Sequence, residues 1–254
     1  MVIDRLRLDE KVALVVGGGR GLGKGMAEAL AQAGADVAIA ARTWDQLEST
    51  AEELEKFGIR ALPVTVEMQS LRTIQEMVDK VVNHYGQLDI LVNASGMNIR
   101  KPVTEVNESD WEQLMAVNLK GPFFCCQAAA KVMIEQGKGK IINTASLTSE
   151  LGFPNMSMYG ISKGGISQMT KAMAVEWAPF KINVNAVGPG YYRTQMTAPL
   201  FNNPDKLQGL LDRIPQNRTG LPQDLAGAVI LLASQAGDYI TGQTIYVDGG
   251  WLAG

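Results

Sequence analysis

Tyr159 and Lys163 stand four residues apart in "MSMYGISKGG", Met156 to Gly165. The stretch reads as an amphipathic helix, and a step of four puts both side chains on one face, about one turn apart, where they can act on one ligand. A phenol loses its proton near pH 10 in water, and a nearby ammonium favours the phenolate. Taken alone, the pair reads more readily as a packing tyrosine followed by a solvated lysine, so its surroundings must decide. The second chemical signal is "GGGRGLG", which follows the apolar run "KVALVV" and opens an alanine-rich helical segment. Gly17, Gly21 and Gly23 lack β-carbons. The backbone can therefore bend tightly and approach a pyrophosphate, while the helix N-terminus offers unpaired N–H groups.

The segments that must hold these residues alternate in type. After "VALVV" and the first helix comes a second apolar run, "DVAIAA", ending at Arg42. The pattern then predicts a helix from about Trp44 to Phe57, the strand "RALPVTV", a helix from about Ser70 to Tyr85 and the strand "LDILVNAS". A long helix over about Ser109–Glu135 follows, then "GKIINTAS", the Tyr159 helix to about Ala178 and "INVNAVGPG". Last come the helix "PQDLAGAVILLAS" and the strand "GQTIYVDGG". Helices between successive strands predict a parallel sheet with right-handed crossovers. The expected fold is α/β: one domain over residues 1–254, a doubly wound parallel sheet of seven strands with helices on both faces. Residues 191–221 break the rhythm and are read as one or two short helices covering a pocket.

Composition limits the function. The 254 residues are 46% hydrophobic, enough for an extended core. A net charge of −3 argues against nucleic acid as a partner. No apolar run is long enough to cross a bilayer, and "MVIDRLRLDEK" lacks the apolar stretch of a signal peptide, so a cytoplasmic protein with no membrane partner is expected. The adjacent Cys125 and Cys126 read as reduced core thiols. His84 is the only histidine and has no metal set around it, so no metal is expected.

The dinucleotide is chosen at the end of the second strand, where an acid would accept from a ribose 2′-hydroxyl. Ala41 and Arg42 stand there instead. A guanidinium suits a 2′-phosphate, with Arg20 as a second contact, so NADP(H) is favoured. NAD(H) stays open, with Asp45 as the acid.

The ordered motifs "GGGRGLG", "VNASG", Asn118 in "AVNLKG", Ser146 in "IINTAS", "YGISK", "GPGYYRT" and "YVDGG" resemble the short-chain dehydrogenase/reductase family over nearly the whole chain. The resemblance implies a Rossmann-like fold and hydride transfer between nicotinamide and a carbonyl carbon. Tyr159 would be the acid and Ser146 would hold the substrate oxygen. Lys163 would tune Tyr159 and hold the nicotinamide ribose, and Asn118 would maintain a water-linked proton path. The dinucleotide would lie against Gly17, Gly19, Arg20, Gly21, Leu22 and Gly23, with Arg42, Val66, Asn93, Ala94 and Gly96. Tyr159, Lys163, Pro189 and Gly190 complete its site, with Thr194 at the carboxamide.

Val16, "VNASG" and Thr65 depart from the family pattern, Thr65 replacing an aspartate that commonly bonds the adenine. Within the family, "GMNIRKP", "SLTSELG" and "RIPQNRTGLPQDL" are most similar to the gluconate 5-dehydrogenase group, with 2-deoxygluconate 3-dehydrogenases next. The substrate is then a small sugar acid, with Arg100 and Arg193 for its carboxylate and Asn98, Glu150 and Asn155 for its hydroxyls. A 3-oxoacyl carrier reductase, a promiscuous ketone reductase and a non-catalytic dinucleotide sensor are the alternatives. The family also implies a homotetramer, with a dimer second.

Overall fold

Val12–Val16, strand β1, is apolar at every position because both of its faces are covered. Side chains alternate across a strand. Accordingly Val12, Leu14 and Val16 enter one core, and Ala13 and Val15 the other. The computed structural model describes residues 1–194, 197, 198 and 204–254. Its sheet has seven strands in the order β3-β2-β1-β4-β5-β6-β7, every pair parallel. The remaining strands are β2 Asp36–Ala41, β3 Ala61–Thr65, β4 Ile90–Asn93, β5 Gly139–Thr144, β6 Ile182–Pro189 and β7 Thr244–Val247. The doubly wound parallel sheet expected from the alternation is therefore present as one domain.

Helices α1 (Gly21–Gln32) and α2 (Trp44–Glu55) cover one face. On the other lie α3 (Leu71–Tyr85), α5 (Gly121–Gln136) and α6 (Ser157–Trp177), with α4 (Glu108–Met115) leading into α5. Helix α7 spans Pro204–Leu211, and α8, Ala226–Ala233, joins the α1 face. Strand order reverses between β1 and β4, and the crevice beyond their C-terminal ends is where such sheets bind ligands. Both cysteines are free and fully buried. No described helix is long and apolar enough to cross a membrane.

Two helices depart from expectation. The single helix expected over Ser109–Glu135 is interrupted by a π turn at Ala116–Lys120, closed by the Gly121 amide donating to the Ala116 carbonyl. The signal was Pro122, which has no N–H for the carbonyl of Asn118 four residues back and would clash with it in a regular helix. A π turn relieves that conflict and swings its residues to new bearings. At the other site "PQDL" forms a short 3-10 turn, Pro222–Leu225, before α8 begins. Of the 191–221 stretch, residues 195, 196 and 199–203 lie outside the described residues.

Glycines set the tightest approach. A β-carbon on Gly23 would sit 2.1 Å from the Gly17 carbonyl oxygen, a backbone atom that cannot yield. Gly227, exposed on α8, has nothing within 4 Å of that position. Gly23→Ala should lower the melting temperature and abolish dinucleotide binding. Gly227→Ala should stabilise by about 1 kcal/mol, the helix-propensity gain. Thermal unfolding with and without NADPH separates the two, and a Gly23→Ala protein that still gains stability from NADPH would contradict the close-approach account.

Candidate active site

The glycine loop follows β1 directly. The Gly17 amide donates to the Ala40 carbonyl at 2.7 Å, and the loop's return is pinned from α2 by the buried Thr50 hydroxyl, which donates to the Gly19 carbonyl at 3.2 Å. Thr50 was not legible as a site residue because a lone threonine in a polar helix carries no motif. Gly17 and Gly21 have φ of 88° and 57°, in the left-handed region that glycine tolerates. Arg20 is the N-cap of α1 in extended backbone, and no side chain caps the first-turn amides. Leu22 packs against the α1-side core.

Across the crevice, a β-carbon on Gly17 would meet the Ser95 amide at 2.7 Å, and the Ala94 amide donates to the Val16 carbonyl. A β-carbon on Gly21 would lie 3.9 Å from the Thr194 methyl, and Thr194 is held by Thr197, whose hydroxyl accepts from the Thr194 amide at 2.9 Å. Gly190 lies against Asp248, its amide donating to the Val247 carbonyl at 3.1 Å after Pro189 ends β6. Arg42 is exposed just past β2 and enters no ion pair among the described residues. Buried hydroxyl and amide oxygens on Ser95 and Asn98 have no protein partner. Open first-turn amides, close glycine backbone and these orphaned polar atoms fit a bound dinucleotide.

Two of the expected cofactor residues turn their side chains into the core. The Asn93 side chain, 3% exposed, points into the core, donating to Asn143 Oδ1 at 2.9 Å and to Cys126 Sγ. Asn143 passes the chain on to Thr170 at 3.0 Å. Val66 likewise packs in the core, and its amide donates to the Ala41 carbonyl at 3.0 Å. The Asn93 Oδ1 oxygen is buried without a protein partner.

The chemical residues converge beside Gly96, whose missing β-carbon would lie 3.6 Å from Asn118 Oδ1 and 4.0 Å from Lys163 Nζ. The π turn aims Asn118 inward, fully buried, so that its amide clamps Met97: Oδ1 accepts from the Met97 N–H and Nδ2 donates to its carbonyl, both at 2.8 Å. Lys163, 4% exposed, donates to the Thr144 carbonyl at 2.6 Å where β5 ends. Ser146 starts the next turn, its hydroxyl accepting from the Thr148 amide at 3.2 Å. That turn is tied to the Tyr159 helix by the Ser149 hydroxyl, which donates to the Lys163 carbonyl at 2.9 Å.

Burial pushes the Tyr159 phenol above its ordinary value, opposed by its hydrogen bond with Ser146 and by the charge of Arg100. Lys163 Nζ lies 5.7 Å from the Tyr159 ring centre, and burial pulls its own pKa down to about 8. Desolvation penalises both charged forms, and the ammonium is turned toward Thr144.

The substrate candidates separate as well. Arg100 is exposed, yet its charge reaches the Tyr159 phenol. Glu150 is engaged on β7, where its carboxylate accepts from the Tyr246 hydroxyl at 2.7 Å. Asn155 is an exposed residue in left-handed backbone (φ 61°), with its carbonyl accepting from the Lys101 amide. Arg193 is exposed and its amide bonds to the Gly220 carbonyl.

A dinucleotide crevice whose rim carries a serine, a tyrosine and a buried lysine defines an oxidoreductase of alcohols and ketones. The sequence comparisons agree with that class. The family profile described as enoyl-(acyl carrier protein) reductase matches residues 16–252. The chain is 44% identical over 254 residues, the whole of both proteins, to 2-dehydro-3-deoxy-D-gluconate 5-dehydrogenase of Escherichia coli K12. It is 35% identical to gluconate 5-dehydrogenase of Gluconobacter oxydans, covering 97% of this chain and 96% of the relative. A crystal structure of a gluconate 5-dehydrogenase from Burkholderia cenocepacia, in complex with NADP and tartrate, superposes with a TM-score of 0.96 at 37% identity over all of both chains. The chain belongs to the short-chain dehydrogenase/reductase family.

The depressed Lys163 pKa makes a stability prediction. Its folded value, about 8, lies below the ordinary lysine value of 10.5, so between them the unfolded chain binds more protons. Native stability therefore gains from this group as pH rises through that window, and below pH 8 the fold carries the full cost of a buried ammonium. The melting temperature of Lys163→Met relative to wild type should be highest below pH 8 and fall toward pH 10.5. A difference independent of pH, measured by thermal unfolding, would mean that the lysine is not strained by burial.

Proposed function

We propose that the chain is an NADP(H)-dependent dehydrogenase/reductase of a six-carbon sugar acid, acting at a carbonyl or hydroxyl remote from the carboxylate. Gluconate with 5-keto-gluconate, and 2-dehydro-3-deoxygluconate, are the leading substrates. The observation that carries this reading is the buried Lys163, anchored on the Thr144 carbonyl beside Ser146 and Tyr159, with Arg100 exposed on the loop after β4 as a cation for the anionic end of a substrate. The names of the relatives support the same chemistry, since both describe oxidation of a sugar acid at C5.

Bound nicotinamide would supply or accept the hydride. The chain's own residues do the rest. Tyr159 Oη gives its proton to the carbonyl oxygen as charge develops there, and Ser146 Oγ holds the same oxygen with a second hydrogen bond. A phenol kept protonated by burial suits the reducing direction, where it must donate. Lys163, anchored on Thr144, presents its remaining ammonium protons toward the nicotinamide ribose. Asn118 fixes the Met97 loop that walls the site and lies on the water-linked proton path. Arg42 and Arg20 take the 2′-phosphate.

Assembly as a homotetramer is supported by an apolar groove between α5 and α6, lined by Leu119, Phe123, Met169 and Trp177 among others, with Ile161 and Val175 left at the surface nearby. Cytoplasmic location fits this reading.

Tyr159→Phe should lower turnover of every carbonyl substrate by about 100-fold or more, the contribution of a placed proton donor. Steady-state assays on keto-gluconates, an acyl-carrier thioester and neutral ketones test both the chemistry and the substrate class. Near-normal turnover by the variant removes Tyr159 from the mechanism, and an enzyme that prefers the thioester removes the sugar acid. Arg42→Ala should raise KM for NADPH by about 10–100-fold, as for loss of a charged hydrogen bond, and change KM for NADH far less. Equal effects on the two cofactors would overturn the NADP(H) assignment.

A further inference from the structure

Arg213 opens the stretch "RIPQNRTGLPQDL", far from Tyr159 in sequence. In the fold it follows the last turn of α7, its guanidinium 4.3 Å above the ring of Trp251. Trp251 is 3% exposed and sits in a small third core with Leu147, the residue after Ser146. Its ring centre lies 4.8 Å from that of Tyr191 and 6.4 Å from that of Phe153. The Phe153 loop runs on to Asn155, whose carbonyl accepts from the Lys101 amide beside Arg100. One contiguous set of contacts therefore joins Arg213, Trp251, Tyr191 and the Arg100 loop to the Ser146 turn.

We propose that Arg213 and Arg100 form a two-arginine clamp, flanking Tyr191, that binds the substrate carboxylate and so fixes which carbon faces Tyr159. The assignment rests on the sugar-acid reading and extends it. Neither guanidinium is paired with a carboxylate among the described residues. Tyr191 and Arg213 both pack on the Trp251 ring, and Phe153 beyond it leads to Asn155, bonded to the residue after Arg100.

The groups on offer are rich in donors. A guanidinium has five N–H groups and no acceptor, an indole N–H only donates, and the buried Trp251 Nε1 has no protein partner. Such a lining favours an anion with several lone pairs, and the planar fork of arginine matches a carboxylate bidentately. Stacking on Trp251 also limits the rotamers of Arg213, so less freedom is lost when it closes on a ligand.

The test compares wild type with Arg213→Met, which keeps an apolar stem over Trp251, and Arg213→Lys, which keeps the charge without the fork. Two quantities are measured. One is the ratio of kcat/KM for 5-keto-gluconate to that for a neutral ketose of the same length. The other is the inhibition constant of gluconamide against gluconate, with the neutral ketose as substrate. For Arg213→Met the acid-to-neutral ratio should fall by about 10–100-fold, the loss of one charged hydrogen-bonded contact. Its gluconate inhibition constant should rise by the same factor while that of gluconamide moves little, and Arg213→Lys should fall between. Unchanged ratios and inhibition constants in both variants, or a wild type that binds gluconate no better than gluconamide, overturn the clamp. A wild type inhibited by gluconate through Arg213 but unable to reduce any keto-acid keeps the clamp and removes the sugar acid as substrate.

Discussion

Burial of the Lys163 ammonium at the C-terminal edge of the sheet is the constraint around which the site is arranged. A charge taken from water is tolerated only where hydrogen bonds replace what the solvent gave. The Thr144 carbonyl supplies one such bond, available because β5 ends there. The Tyr159 helix must then start at the height where its second turn meets that strand end. The Ser149 hydroxyl enforces this by linking the Ser146 turn to the Lys163 carbonyl. Serine, tyrosine and lysine share one neighbourhood because a single buried cation ties strand, turn and helix together.

Support for that cation reaches into both cores. On the α3 face, Asn93, Asn143 and Thr170 form a buried polar chain that crosses from β4 through β5 to α6. Buried polar networks demand specific partners where apolar packing does not, so this chain limits how α6 can slide against the sheet. Asn118 performs the equivalent task on the loop after β4, and it reaches Met97 only because the π turn reorients it. On the α1 face, Thr50 holds the glycine loop from behind. The crevice between the two faces is built from backbone and can therefore approach a ligand closely.

Much of this was legible in the chain. Strand and helix periods are local, so seven strands and their order of appearance followed from the hydrophobic pattern alone. The glycine loop was legible because only glycine fits its backbone, and the Tyr159–Lys163 pair because helical spacing fixes relative bearing. The interruption at Asn118 was written in Pro122, though only as a missing donor whose consequence depends on what the turn packs against. Glu150 and Asn155 read as pocket residues for their position after a strand end, whereas the Tyr246 hydroxyl bond to the first and the left-handed backbone of the second come only from the fold.

What the sequence by itself determined is the set of groups that local geometry and covalent structure control: the alternation of elements, the glycine turn and the identity of the acid and the lysine. What only the tertiary structure decided is the environment those groups meet. Desolvation raises the Tyr159 phenol and lowers Lys163, Asn93 is drawn into the core, and Arg213 is set over Trp251 within the field that includes Arg100. The reason is physical. A residue's type and spacing are properties of the chain, whereas burial and long-range contact exist only after segments distant in sequence have packed and excluded water between them.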